Sequence, residues 1–179
     1  MTELVFTPAA PVELLSREAA HEALSDLGEV LFACVRGGAG VGFVEPFETA
    51  EAVAFWQQKL DGLENGERYL LGLREEGRIV GTVLLEPASQ PNGIYRADVA
   101  KLLVHPGYRR RGHARRLLAE VDRLALALGH KLLVLDTVTG DTAESVYPKA
   151  GYQRVGIIPD FALLPNGEPA PTTVFYKQL

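Results

Sequence analysis

The hydrophobic period changes twice between residues 94 and 135, and this change limits the possible folds more than any other part of the chain. Residues 94–104 read as a strand, closed by Pro106-Gly107. Over residues 112–128, Ala114, Leu117, Leu118, Val121, Leu124, Ala125 and Leu128 fall on one stripe of a helix, with Gly129 as its C-terminal punctuation. Residues 132–135 are then apolar without interruption, the pattern of a central strand buried on both faces. Strand, helix and strand in this order make one parallel crossover, so a sheet must form with a helix packed on it.

The flanking segments extend that sheet. Ser16 can cap a helix in which Ala20, Ala23, Leu24, Leu27, Leu31 and Cys34 share a face, ending at Gly37-Gly38. Val53, Trp56, Leu60 and Leu63 repeat the spacing in a second helix that Gly66 stops. Residues 69–73 and 79–85 are strand-like runs joined by a hairpin turn at Glu75-Glu76-Gly77, and the turn-rich residues 87–93 lead into the strand at 94. Residues 141–150 read as a short helix ended by Gly151, and 152–158 and 173–176 as strands. The expected order is ααβββαβαββ, without a repeat or long linker. This predicts a single α/β domain over residues 1–179, a mixed sheet flanked by helices.

Composition narrows the function. With 47% hydrophobic and 23% charged residues the chain is expected to fold throughout, and a net charge of -5 argues against broad nucleic-acid binding, which needs a basic surface. Cys34 is the only cysteine, which excludes an intramolecular disulfide and a cysteine-rich zinc site and suits a reducing cytoplasm. The four histidines lack metal-ligand spacing, so no metal is expected and surface positions are predicted for them. Met1-Thr2-Glu3-Leu4-Val5-Phe6-Thr7-Pro8 lacks the basic start and apolar stretch of a signal peptide, and no run of about 18 apolar residues occurs. A cytoplasmic protein without a membrane partner is expected, as a monomer or a homodimer.

The loop Val104-His105-Pro106-Gly107-Tyr108-Arg109-Arg110-Arg111-Gly112-His113-Ala114 lies between the third strand and the best helix. A helix start leaves backbone N–H groups unpaired and carries about half a positive charge, so phosphates dock there. No Lys-Ser/Thr follows the glycine as in a P-loop, and the spaced glycines of a dinucleotide fingerprint are missing. Five arginines within residues 109–116 could face nucleic acid, but no aromatic platform accompanies them. Arg109-x-x-Gly112-x-Ala114 resembles the R/Q-x-x-G-x-G/A signature of the GNAT superfamily of N-acetyltransferases.

That resemblance implies the GNAT fold, a mostly antiparallel sheet with one splayed parallel pair, and acetyl-CoA as cosubstrate. It implies that backbone groups of Leu102, Leu103 and Val104 pair with the pantetheine arm. Amides of Arg110, Arg111, Gly112, His113, Ala114 and Arg115 would cradle the pyrophosphate, with Arg109 fixing the loop.

Acetyl transfer to an amine needs a neutral nitrogen, and the departing thiolate gains from a proton donor. Tyr147-Pro148-Lys149-Ala150-Gly151-Tyr152 resembles the family's Y-x-K-x-G-F/Y segment, which implies Tyr147 as the acid. A closer resemblance, to the tabtoxin-resistance branch, rests on Arg96-Ala97-Asp98-Val99-Ala100-Lys101-Leu102, Leu135-Asp136-Thr137, Ala143-Glu144-x-x-Tyr147 and Arg154-Val155-Gly156. It implies Asp98 and Asp136 as bases or ligands of the acceptor amine, although the branch carries the longer Glu at position 98. A second departure is Gly140, where many members have Asn. The glycine-rich loop, with Gly40, Val41, Gly42 and Phe43, is expected to wall the acceptor site as a flexible lid.

Cys34, on an apolar helix face far in sequence from the loop, is expected in the core, which favours direct attack in a ternary complex over a cysteine acyl-enzyme. The acceptor is then a small amine, amino-acid-like or antibiotic-like. The contrasting expectation is a non-catalytic acyl-CoA sensor or interaction module.

Overall fold

The computed structural model describes residues 6–179, so part of the leader argument, residues 1–5, lies outside the described residues. The elements run β1 (Val12–Leu15), α1 (Arg17–Glu22), α2 (Leu24–Arg36), α3 (Thr49–Lys59), β2 (Tyr69–Glu75), β3 (Arg78–Pro87), β4 (Arg96–Val104), α4 (His113–Ala127), β5 (Leu132–Val138), α5 (Val146–Lys149), β6 (Gln153–Leu163) and β7 (Pro169–Gln178). Among the described residues the seven strands form one sheet, ordered β1-β2-β3-β4-β5-β7-β6. The pair β4–β5, joined through α4, is parallel, and the remaining pairs are antiparallel. No helix among the described residues is long and apolar enough to cross a membrane.

Period-2 alternation sorts the strand residues between two cores. Leu71, Leu73, Val83, Leu85, Val99, Leu133 and Leu135 pack with Leu117, Leu118, Val121 and Leu124 of α4. Leu70, Leu84 and Leu103 point the other way, onto Leu27, Leu31 and Cys34 of α2 and Trp56 of α3.

The structure departs from the sequence expectation in four places. β1 has only four residues, too few for a legible period, and is held by its pairing to β2. The first expected helix is two. Ser16 Oγ does accept from Ala19 N at 3.1 Å, but Ala23 (φ -89°, ψ 6°) leaves helical geometry before α2 begins. The bend places both Ala20 and Leu27 fully in one core. β5 is central but not buried on both faces: Leu133 and Leu135 are buried, whereas Leu132 and Val134 are only partly covered. β6 and β7 extend beyond their apolar patterns to a turn at Gly167 (φ 85°), because β6 is an edge strand with no buried face to set a period.

The feature that shapes the site lies in β4. β4 and β5 pair only through Arg96↔Leu132, Ala97↔Leu133 and Asp98↔Val134. Beyond them the β3–β4 register slips by one residue, with Leu84 opposite Ala100 but Thr82 opposite Leu103. This is a bulge: Lys101 takes a positive φ of 50°, and Thr82 Oγ1 donates to its carbonyl at 3.0 Å. The bulge bends β4 away from β5.

Leu133 is fully buried on the central parallel strand, so Leu133→Ala is expected to cost about 2–5 kcal/mol. Urea unfolding followed by circular dichroism measures this as a lowered midpoint at an unchanged slope.

Candidate active site

The gap between the parted strands opens into a cleft of about 970 Å³. Its walls are the bulged segment of β4, the glycine-rich loop after α2, the start of α4, the end of β5, the turn into α5 and the tip of the β6–β7 hairpin. Leu102, Leu103, Val104, Arg109, Arg110, Gly112, His113, Ala114, Arg115, Asp136, Tyr147, Gly40, Val41 and Gly42 all line it; Asp98, Arg111 and Phe43 do not.

At the α4 end the backbone is arranged for an anion. Gly112 is the N-cap at φ 78°, a left-handed conformation natural to glycine, and Arg110 before it has φ 61°. No side chain caps α4 and no acid occupies its first turn, so the first-turn amides remain available to an external acceptor. Arg109 braces the loop, its Nε donating to Val104 O at 3.2 Å and its Nη2 to Cys34 Sγ at 3.8 Å.

Cys34 is in the core as expected, but it is not remote from the loop in space: its thiol donates to Val104 O at 3.4 Å. Burial pushes the thiol pKa up against the opposing pull of Arg109. A buried, protonated thiol is a poor nucleophile.

Two histidines are buried, against the expectation of surface positions. His130 Nδ1 lies 3.2 Å from Ile94 O. His113 Nε2 lies 2.6 Å from Glu75 Oε2, and Arg111 bonds the other oxygen of the same carboxylate. Burial alone raises the Glu75 pKa, but His113 and Arg111 outweigh it and hold the carboxyl below its ordinary value. Arg111 is thereby drawn out of the cleft and stacks 5.0 Å from the Tyr108 ring. The glycine-rich loop is seated against its neighbours. A Cβ on Gly40 would come within 2.4 Å of Val138 Cγ2, and Glu45 N donates to Pro165 O at 2.8 Å. Phe43 turns into an aromatic cluster, 4.6 Å from Phe47 and 5.4 Å from Phe55.

At the other end stand the groups suited to proton transfer. The Tyr147 ring is buried against Tyr152 and Phe175, each 5.7 Å away, yet its hydroxyl has no hydrogen-bond partner among the described residues. Burial, reinforced by Asp136 and Asp141, pushes this phenol far above its ordinary pKa, so it is neutral and a donor at neutral pH. Asp136 is exposed and accepts from Thr172 Oγ1 at 2.7 Å. Asp98 is exposed on the strand stretch before the bulge. Desolvation pushes its carboxyl up, Arg96 pulls it down, and Glu86 and Asp136 push it up again.

Several supporting residues carry no sequence signal of their role. Glu144 accepts from Gly140 N and Thr173 Oγ1, both at 2.6 Å, and so fixes the loop before α5. Lys177 donates to Asp122 and to Ala150 O, tying the end of α5 to β7 and α4. Both contacts join residues far apart in the chain. Lys101, at the bulge, also lines the cleft.

The family model described as the acetyltransferase (GNAT) family matches residues 17–152. Among solved structures, the chain is similar to yncA from Salmonella typhimurium with its cofactor acetyl-CoA, at 16% identity over 94% of this chain and 92% of that one, TM-score 0.74. It is similar to an N-acetyltransferase from Staphylococcus aureus Mu50, at 15% identity over 93% and 96%, TM-score 0.76. It is also similar to the microcin C7 self-immunity acetyltransferase MccE in complex with acetyl-CoA and AMP, at 13% identity over 96% and 94%, TM-score 0.73. At these identities the likeness is one of fold.

The Asp98 shift carries a stability consequence. Its folded pKa is raised, so the folded state disfavours the carboxylate, a penalty absent below the ordinary carboxylate range and growing as pH rises through it. Asp98→Asn is expected to melt higher than the parent at pH 7, with the difference closing towards pH 3. Thermal melts across that range read it directly.

Proposed function

Because the chain belongs to the acetyltransferase (GNAT) family, we propose that it is an N-acetyltransferase that moves an acetyl group from acetyl-CoA to the primary amine of a small amino-acid-like or antibiotic-like acceptor. The observation that carries this reading is one continuous cleft with the uncapped start of α4 at one end and Asp136 and Tyr147 at the other. The whole chain, residues 1–179, acts in this reading as one cytoplasmic catalytic domain. The strings shared with the tabtoxin-resistance branch favour a role in toxin or antibiotic resistance.

The donor set suits a pyrophosphate. The α4 start offers amides without a competing acid or cap, and Arg109, Arg110 and Arg115 add positive charge at the same wall. The free edge of β4 at Leu102, Leu103 and Val104 suits the amides of a pantetheine arm. Acetyl-CoA supplies the activated thioester; the side chains of this chain supply the proton traffic. Asp136, exposed in the cleft, takes the proton of the acceptor ammonium directly or through water, and Asp98, which does not line the cleft, reaches the amine only through water. Tyr147, kept neutral by burial, hydrogen-bonds the departing sulfur, and the second N–H proton of the collapsing adduct passes through its hydroxyl to that sulfur, so the phenol ends as it began. The acceptor nitrogen attacks directly, since the one cysteine is buried, bonded to Val104 O and protonated.

Purified protein is expected to release CoA thiol from acetyl-CoA only when a suitable amine is present, with mass spectrometry identifying the N-acetylated product. Tyr147→Phe is expected to slow release by about 100-fold and to leave CoA affinity near that of the parent. Normal turnover in that variant removes Tyr147 from the mechanism. CoA binding without turnover across a broad amine panel would instead indicate an acyl-CoA-binding module.

A further inference from the structure

The face of the sheet beneath α2 and α3 carries a second set of charges that the transfer step does not use. Glu86 is satisfied twice, by Lys59 Nζ at 3.4 Å and by Arg68 Nε at 3.5 Å. Lys101 lies beside this group and lines the cleft, yet makes no ion pair among the described residues. Its ammonium sits 5.3 Å from the centre of the Phe55 ring, the ring that also holds Lys59 at 5.4 Å.

Two ammonium groups on one ring, only one of them paired, is an arrangement with a cost. A cation over an aromatic ring gains less than a partly desolvated charge without an ion pair loses. Burial, then the neighbouring Lys59, lowers the Lys101 pKa against the opposing pull of Glu86 and Asp136. The backbone is also unusual there, since the bulge forces a lysine into φ 50°, and bulges commonly re-aim a side chain beside an active site. The side chain is directed to the α3 side of the sheet, away from α4 and its phosphate-suited amides.

We infer that Lys101 is the anion anchor of the acceptor pocket, binding the carboxylate of an acceptor whose amine is held at Asp136. The inference rests on the transferase reading and deepens it, because it assigns the acceptor a negative group as well as an amine. Asp136 and Lys101, which both line the cleft, offer opposite charges to a zwitterion. A charge-assisted bond to the carboxylate would give the Lys101 ammonium the ion pair it lacks among the described residues.

Calorimetric titration of the CoA-loaded protein with a panel of amino acids and the matching amino-acid amides separates the terms, because each pair differs only in the carboxylate. The expected result is at least about tenfold tighter binding of the acids, from one charge-assisted hydrogen bond. That advantage is lost in Lys101→Gln and largely kept in Lys101→Arg; Lys101→Met, which retains the alkyl stem, replaces Gln if the latter fails to fold. Equal binding of acids and amides, no binding of any acid, or an advantage that survives in Lys101→Gln would overturn the anchor. Weakened binding of CoA itself in Lys101→Gln would assign the lysine to a CoA phosphate and overturn it too. A carboxylate preference without thiol release leaves the anchor standing and sinks the transferase, whereas equally efficient release with acids and amides does the reverse.

Discussion

β4 stays in register with β5 for three residues and then leaves it, because the bulge at Lys101 adds one residue to β4 against β3. After the parting, β4 still pairs with β3 and β5 with β7, so each strand keeps one bonded edge and turns one open edge to the gap. An open edge inside a sheet is ordinarily a liability, and an extended ligand that pairs with it converts the liability into a binding site. The crossover helix then fixes the polarity of the gap. α4 must start where β4 ends, so its positive end necessarily meets the open edge of β4. One inserted residue thus produces both the cleft and its anion-binding end.

The charges of the chain are divided to match. The net charge is -5, yet the loop before α4 is strongly basic, and the arginines there do not act alike. Arg109 turns inward and braces the strand end at Val104, and Arg111 is captured by Glu75 with His113 behind it. That triad anchors the start of α4 to the end of β2, which explains why a histidine in a polar loop is buried. Across the sheet the same device appears at the far end, where Lys177 binds Asp122 and Ala150 O and holds α5, and therefore Tyr147, in place.

Much of this was legible in the sequence, and the limits have physical reasons. The crossover, α4 and the hairpins could be read because one face of each is buried and writes its period into the sequence. β1 is too short to show a period, and β6 is an edge without a buried face, so both were underread. The loop before α4 was legible because Arg109, Gly112 and Ala114 stand at the spacing of a known motif between a strand and an amphipathic helix. The direction of individual side chains was not. Arg111, Phe43 and Asp98 fall outside the cleft because Glu75, the Phe47–Phe55 cluster and the strand stretch before the bulge decide where they go. Glu75 is 36 residues from Arg111, Phe47 and Phe55 sit on the loop and helix that follow Phe43, and the register slip leaves no mark in composition.

The distribution of unsatisfied groups argues most directly that the cleft is built for ligands. Away from it, several charges are matched: Arg74 with Glu13, Arg78 with Asp26, Arg123 with Glu120, Lys177 with Asp122. Around it, the first-turn amides of α4 have no side-chain cap and the Lys101 ammonium makes no ion pair among the described residues. Trp56 Nε1, the Tyr152 hydroxyl, Arg68 Nε, His113 Nδ1 and Asp122 Oδ1 are also buried without a hydrogen-bond partner, but Arg68, His113 and Asp122 are each ion-paired through another atom. Charges and helix ends left open along a single cavity are different in kind, because each has a sign and a direction. Together they suit a ligand that brings negative charge to the start of α4 and polar groups to the end where Asp136 and Tyr147 stand.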